Sequence, residues 1–170
     1  MRYFAFLGFA IFAMTVQANS LERLDQRKFV LLGESRLSFL FWDVYDARLY
    51  VTDDFYQPDK PFALALSYLR NFSGSDIAER SIKEIRQQGF PDDQVLSLWE
   101  AKLNEIFPDV VQGDEIIGIS DPSQGARFFH NGELIGEISD KTFSRRFFDI
   151  WLSEKTSEPE MRKSLLGASQ

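Results

Sequence analysis

The stretch Ser35–Val51, SRLSFLFWDVYDARLYV, constrains the fold more than any other part of this chain. It is rich in aromatic and branched residues and reads as a long strand. Its apolar residues fall on both parities, with Leu37, Phe39 and Phe41 on one face and Leu40, Trp42 and Val44 on the other. A strand that is apolar on both sides has to be covered on both sides, by helices, a second layer or a ligand. Charges are threaded through it all the same. In an unbulged strand Asp43, Tyr45, Ala47 and Leu49 share one face, and Asp46, Arg48 and Tyr50 the other. Two accounts fit that pattern. The charges keep an edge strand from pairing with other chains, or Arg36 and Tyr45 direct a guanidinium and a phenol into an apolar cleft, as a carboxylate-headed apolar ligand requires.

The remaining elements follow from periodicity. KFVLLG reads as a strand, and in PFALALSYL the residues Phe62, Leu64, Leu66 and Tyr68 alternate with Ala63, Ala65 and Ser67. The period changes at Ser73. Ser73 and Asp76 mark a helix start, Ile77, Ile82 and Ile85 give its apolar face, and Gly89 marks its stop. A second helix carries Val95, Trp99, Leu103 and Ile106 on one face and ends before Pro108. DEIIGIS, ARFFH and ELIGEI are strands, the last two joined by Asn131-Gly132, a pair suited to the positive φ angles of a tight hairpin. Phe143, Phe147, Ile150 and Trp151 define a third helix, and Ser157 with Glu160 has capping-box spacing before a fourth that Gly167 terminates. This order predicts an α+β fold, an antiparallel sheet with its helices gathered on one side.

MRYFAFLGFAIFAMTVQANS has a basic start at Arg2, an apolar run from Tyr3 to Val16 and then Val16-Gln17-Ala18, with cleavage expected after Ala18. It reads as a signal peptide, residues 1–18, removed on export to the periplasm or beyond. The run is shorter than the roughly 20 residues of a spanning helix, so no stable membrane span is expected after cleavage. Residues 19–170 are long enough for one domain with a single core. The chain holds no cysteine, so that core has no disulfide, and its net charge of −7 argues against nucleic-acid partners.

The residues that common chemistries need are missing. A thiol nucleophile would need Cys, and a transition-metal site would need more nitrogen or sulfur ligands than His130 supplies. No glycine-framed serine and no phosphate-cradling glycine loop occur. No metal, cofactor or catalytic residue is assigned from the sequence, and the protein partner is left unknown.

The segments LLGESRLSFLFWDVYDARLYV, PDKPFALALSYLRNFSGSDIAERSIKEIRQQGF, FPDVVQGDEIIGI, FFHNGELIGEI and FFDIWLSEKTSEPEMRKSLLG together resemble the chalcone isomerase-like superfamily, in its bacterial exported branch. The resemblance spans about Arg27 to Gly167. It implies an open-faced β-sandwich, a curved antiparallel sheet covered by helices with a ligand cleft between. It also puts Arg36 where the plant isomerases hold substrate with an arginine. Ile77, Glu84 and Ile150 fall where those enzymes carry a tyrosine, an asparagine and a threonine or serine, so the isomerase cleft is altered and a non-catalytic protein is implied. The superfamily's fatty-acid-binding members hold a carboxylate with an arginine and a tyrosine that resemble Arg36 and Tyr45. The expectation is therefore a periplasmic protein binding an apolar carboxylate such as a fatty acid, with Arg36 as ionic anchor, Tyr45 as hydrogen-bond donor, and Tyr68 and Trp42 lining the cleft. Two alternatives stand beside it: an isomerase or intramolecular lyase on another substrate, and an envelope interaction module whose cleft its own Phe and Trp side chains close.

Overall fold

The computed structural model describes residues 21–168, so the expected leader at 1–18 lies outside the described residues. Six strands form one antiparallel sheet in which each lies beside its sequence neighbour. They are β1 (Val30–Phe39), β2 (Trp42–Val51), β3 (Phe62–Tyr68), β4 (Glu115–Asp121), β5 (Gly125–His130) and β6 (Glu133–Ile138). Four helices, α1 (Gly74–Gln87), α2 (Asp93–Ile106), α3 (Lys141–Leu152) and α4 (Pro159–Leu165), accompany it. These four helices pack on one face of the sheet, the expected α+β arrangement.

The long strand Ser35–Val51 is in fact a hairpin. The chain reverses at Leu40 and Phe41, with Phe39 paired to Trp42. Leu40 takes a left-handed φ of 56°, a conformation that glycine or asparagine adopts more easily. No Gly, Pro or Asn marks this turn, which is why periodicity ran straight through it. The aromatic residues around it are not core: Phe41 is 96% exposed and Leu40 77%. A bulge follows, since Leu37 pairs with Tyr45 but Ser38 pairs with Asp43, leaving Val44 as the extra residue. The bulge moves Asp43 to the face of Asp46 and leaves Tyr45, Ala47 and Leu49 together on the other.

Period two in β3 buries both faces. Phe62, Leu64, Leu66 and Tyr68 enter the larger core under the helices, whereas Ala63 and Ala65 enter a smaller one with Tyr50, Ile117, Ile119 and Phe129. The smaller core is covered by Leu21 and Phe29 from the segment before β1, whose residues 21–24 are helical. Two ion pairs clamp that segment to the sheet, Arg27 with Asp121 and Asp25 with Arg127.

Helix starts are set by side chains that accept the free N–H groups of the first turn. Ser73 accepts from the Asp76 amide, Asp92 from Gln94 and Val95, and Asp140 from Thr142 and Phe143. The capping box expected at Ser157 does not form. Pro159 occupies the first turn of α4, Glu158 becomes the N-cap, and it makes no side-chain cap bond. α4 lies directly on β1, where a Cβ on Gly33 would stand 2.1 Å from the Ser164 carbonyl oxygen, so only glycine admits the helix.

Candidate functional site

Between the helix-covered face of the sheet and α1 and α3 lies a cavity of about 390 Å³, within the range of about 300–1,000 Å³ usual for small-molecule sites. The sheet contributes Leu37 and Phe39 of β1, Val44 and Tyr45 of β2, and Leu64, Leu66 and Tyr68 of β3. Their shared face follows from the register, in which Leu37 lies opposite Tyr45 and Tyr45 opposite Tyr68. The bulge at Val44 places two consecutive β2 residues on the cavity side. Gly118 of β4 leaves the room that the Phe148 ring occupies, since a Cβ there would stand 2.9 Å from it. From the other side Phe147, Ile150 and Trp151 of α3 and Ile77 of α1 complete an apolar wall.

The polar groups gather along one stripe of α1 and the strands facing it. Asp76, Arg80 and Glu84, spaced four residues apart, all line the cavity. Asp76 and Arg80 are exposed at its rim, while the Glu84 side chain is only 4% exposed. Arg80 forms an ion pair with Glu84 Oε1 at 2.6 Å, and Glu84 Oε2 is buried without a hydrogen-bond partner. A buried unsatisfied oxygen costs about 1–3 kcal/mol, more when charged.

Across from this stripe, Trp151 donates its indole N–H to the Tyr45 hydroxyl at 2.9 Å, and the Tyr45 and Tyr68 rings meet edge to face at 6.0 Å. Burial pushes the Tyr45 phenol up to about 12, even though the Trp151 bond pulls it the other way. Burial raises Tyr68 further. Both phenols are therefore neutral donors at physiological pH. The charges of Glu158, Arg80 and Glu84 all act on the Tyr45 hydroxyl, which places this polar end in one neighbourhood.

Of the four expected site residues, the structure brings Tyr45 and Tyr68 together in the cavity and places Arg36 and Trp42 outside its lining. Arg36 lies opposite Asp46 and points to the other face of the sheet from its neighbour Leu37. There it donates to Asp46 at 2.7 Å and 3.0 Å and to Asp43 at 3.0 Å, in an exposed cluster. Strand alternation is the reason: Tyr45 and its partner Leu37 share a face that Arg36, one residue before Leu37, cannot share. Trp42 is 59% exposed at the hairpin tip, with the Arg70 guanidinium 4.3 Å over its ring, and does not line the cavity. Ile77, Glu84 and Ile150, the positions where the resemblance placed altered isomerase residues, all line it. Among the described residues, no group of acidic, histidine or cysteine side chains could hold a metal ion.

An open antiparallel sheet whose helix-covered face encloses an apolar cavity with a polar end defines a ligand-cavity fold of the open-faced sandwich type. The family model described as chalcone isomerase-like matches residues 13–167, and the chain belongs to that family. None of the curated protein sequences matches it. Among solved structures it is similar to a fatty-acid binding protein of Arabidopsis thaliana, with a TM-score of 0.62, 15% identity, and coverage of 82% of this chain and 87% of that one. At that identity the likeness is one of fold.

Proposed function

We propose that this protein binds an acyl-chain ligand of the fatty-acid class in the cavity between the sheet and helices α1 and α3, and does so without catalysis, as an exported periplasmic protein. The observation that carries the reading is the cavity itself: about 390 Å³ with a wall formed largely by Leu37, Leu64, Leu66, Phe147 and Ile150. Burial of apolar ligand surface against such a wall contributes about 25 cal/mol per Å². The fatty-acid binding function of the structurally similar plant protein supports the same ligand class. The non-catalytic part of the reading is supported by the polar end. Burial raises both of its phenols well away from neutrality, so neither is poised as a base near pH 7. The interaction-module alternative requires a cleft filled by its own aromatic side chains, and this cavity is open.

Titration with the neutral apolar dye N-phenyl-1-naphthylamine tests the reading. Dye fluorescence should rise on binding and fall again when 1-decanol is added. Leu66→Trp, which projects an indole into the cavity from the middle of β3, should abolish the rise in a protein that still melts cooperatively. An unaltered rise in that variant would place the dye elsewhere and overturn the assignment.

A further inference from the structure

The turn between β1 and β2 leaves four consecutive apolar residues in water: Phe39, Leu40, Phe41 and Trp42 are 69%, 77%, 96% and 59% exposed. Successive strand residues point to opposite faces, so exposure of all four means that neither layer of the fold covers the tip. An apolar patch displayed in this way marks an interaction site.

The surroundings of the tip identify what it meets. It is too small for a stable contact between copies of this chain, since a standard interface takes about 800 Å² and about 20–30 residues from each partner. Behind it the side chains are layered. Asp43 stands two residues from Phe41, about 7 Å along the strand, and begins a charged belt in which Arg36 pairs with Asp43 and Asp46. The Arg70 guanidinium lies 4.3 Å over the Trp42 ring between apex and belt. Peripheral segments bury their apolar side about 5–10 Å into the boundary between headgroups and acyl chains, and tryptophan and long cations settle at the headgroup level. Apolar apex, Trp42 with Arg70, and charged belt follow that order. The charges around the tip balance as well, two guanidiniums against two carboxylates. Arg70 is exposed and forms no ion pair among the described residues, which leaves it for a lipid phosphate. This suits a zwitterionic headgroup, whereas the net charge of −7 repels an anionic surface. The tip is also continuous with the cavity, because Phe39 lines it, as do Leu37 and Val44 next along the strands.

We infer that the β1–β2 tip docks this protein on a zwitterionic lipid bilayer, with Leu40 and Phe41 among the acyl chains and the Phe39 end of the cavity at the membrane surface. The docking does not depend on what the cavity holds.

Flotation with vesicles of dioleoylphosphatidylcholine tests this on the protein purified from the cells that make it. The protein should float with the vesicles at low and high salt alike, and replacing part of the lipid by phosphatidylglycerol should not strengthen the binding. Leu40→Asn combined with Phe41→Ser should weaken it about ten- to a hundredfold. Both residues are exposed and asparagine accepts the φ of 56° at position 40, so the variant keeps the fold. Brominated phosphatidylcholine gives a second readout. Trp99 and Trp151 are buried, so quenching of tryptophan fluorescence reports Trp42, and it should occur in the unaltered protein and be lost in the variant. Absence of flotation would overturn the inference and leave the tip to a protein partner. Flotation that the variant retains in full, that leaves Trp42 unquenched, or that needs anionic lipid and vanishes in salt would place the contact elsewhere on the chain and overturn it too.

Discussion

Trp151 on α3 donates its indole N–H to the hydroxyl of Tyr45 on β2 at 2.9 Å, bridging the helix layer and the sheet across the cavity wall. The bond fixes the Tyr45 phenol with its own hydrogen free for a further acceptor. Tyr45→Phe removes the acceptor and leaves a buried indole N–H unpaired. Stability should fall by about 1–3 kcal/mol. Urea unfolding of the two proteins measures the difference, and a change below the error of the extrapolation would show that the bond carries no net weight.

Arg36 is held by Asp43 and Asp46 on the sheet face away from the cavity. Arg36→Ala should therefore leave the affinity for the neutral dye and for decanol within about twofold, as expected for a side chain that shares no partner with the site. A larger loss would mean that the guanidinium reaches the ligand after all.

The core under the helices is an aromatic cluster centred on Phe128, which is 1% exposed and meets Phe107 and Phe147 edge to face, each at 5.1 Å. Phe128→Ala should cost about 3–5 kcal/mol. By contrast Phe41→Ser, at a residue 96% exposed, should change stability by about 0.5 kcal/mol or less. Thermal or urea melts of the pair separate buried from displayed aromatic residues.

Acid sensitivity should come in part from Asp121. Burial by itself would raise its carboxyl, but the Ser123 hydroxyl and amide and the Arg27 guanidinium outweigh burial and hold it below its ordinary 3.8. A depressed folded-state value contributes stability that is present above the unfolded value and lost as pH falls through the folded one. Asp121→Asn should accordingly lower stability near neutral pH and flatten the acid limb below about pH 4. Asp149, which burial raises, acts with the opposite sign: its ionisation costs stability above its folded value, and that cost vanishes below the unfolded one. Urea midpoints between about pH 3 and 7 for both Asn variants should diverge in these two directions.

Much of the fold was legible because it is written in local periodicity. The alternation of β3, the Asn131-Gly132 turn with φ of 49° and 87°, and the face of α3 carrying Phe143, Phe147 and Trp151 all have short-range causes. The turn at Leu40 was not legible, because an apolar residue holds a left-handed conformation there with no sequence signal. That one missing turn also hid the bulge at Val44. The site was half legible: Tyr45 and Tyr68 follow from strand parity, and so in principle does the exclusion of Arg36, since it has the parity opposite to Leu37. Glu84 entered the sequence reading as a lost asparagine of the isomerase pattern. Its burial beside an unpaired oxygen depends on how α1 is rotated against the sheet, which no local pattern specifies.

Native mass spectrometry of the protein purified from the cells that make it, side by side with its Leu66→Trp variant, tests the central claim most directly. The account predicts an acyl compound bound at one per chain, identifiable after denaturing extraction and missing from the variant. A protein that emerges empty and refuses both added decanol and the neutral dye, or a bound mass that persists unchanged in Leu66→Trp, would contradict it.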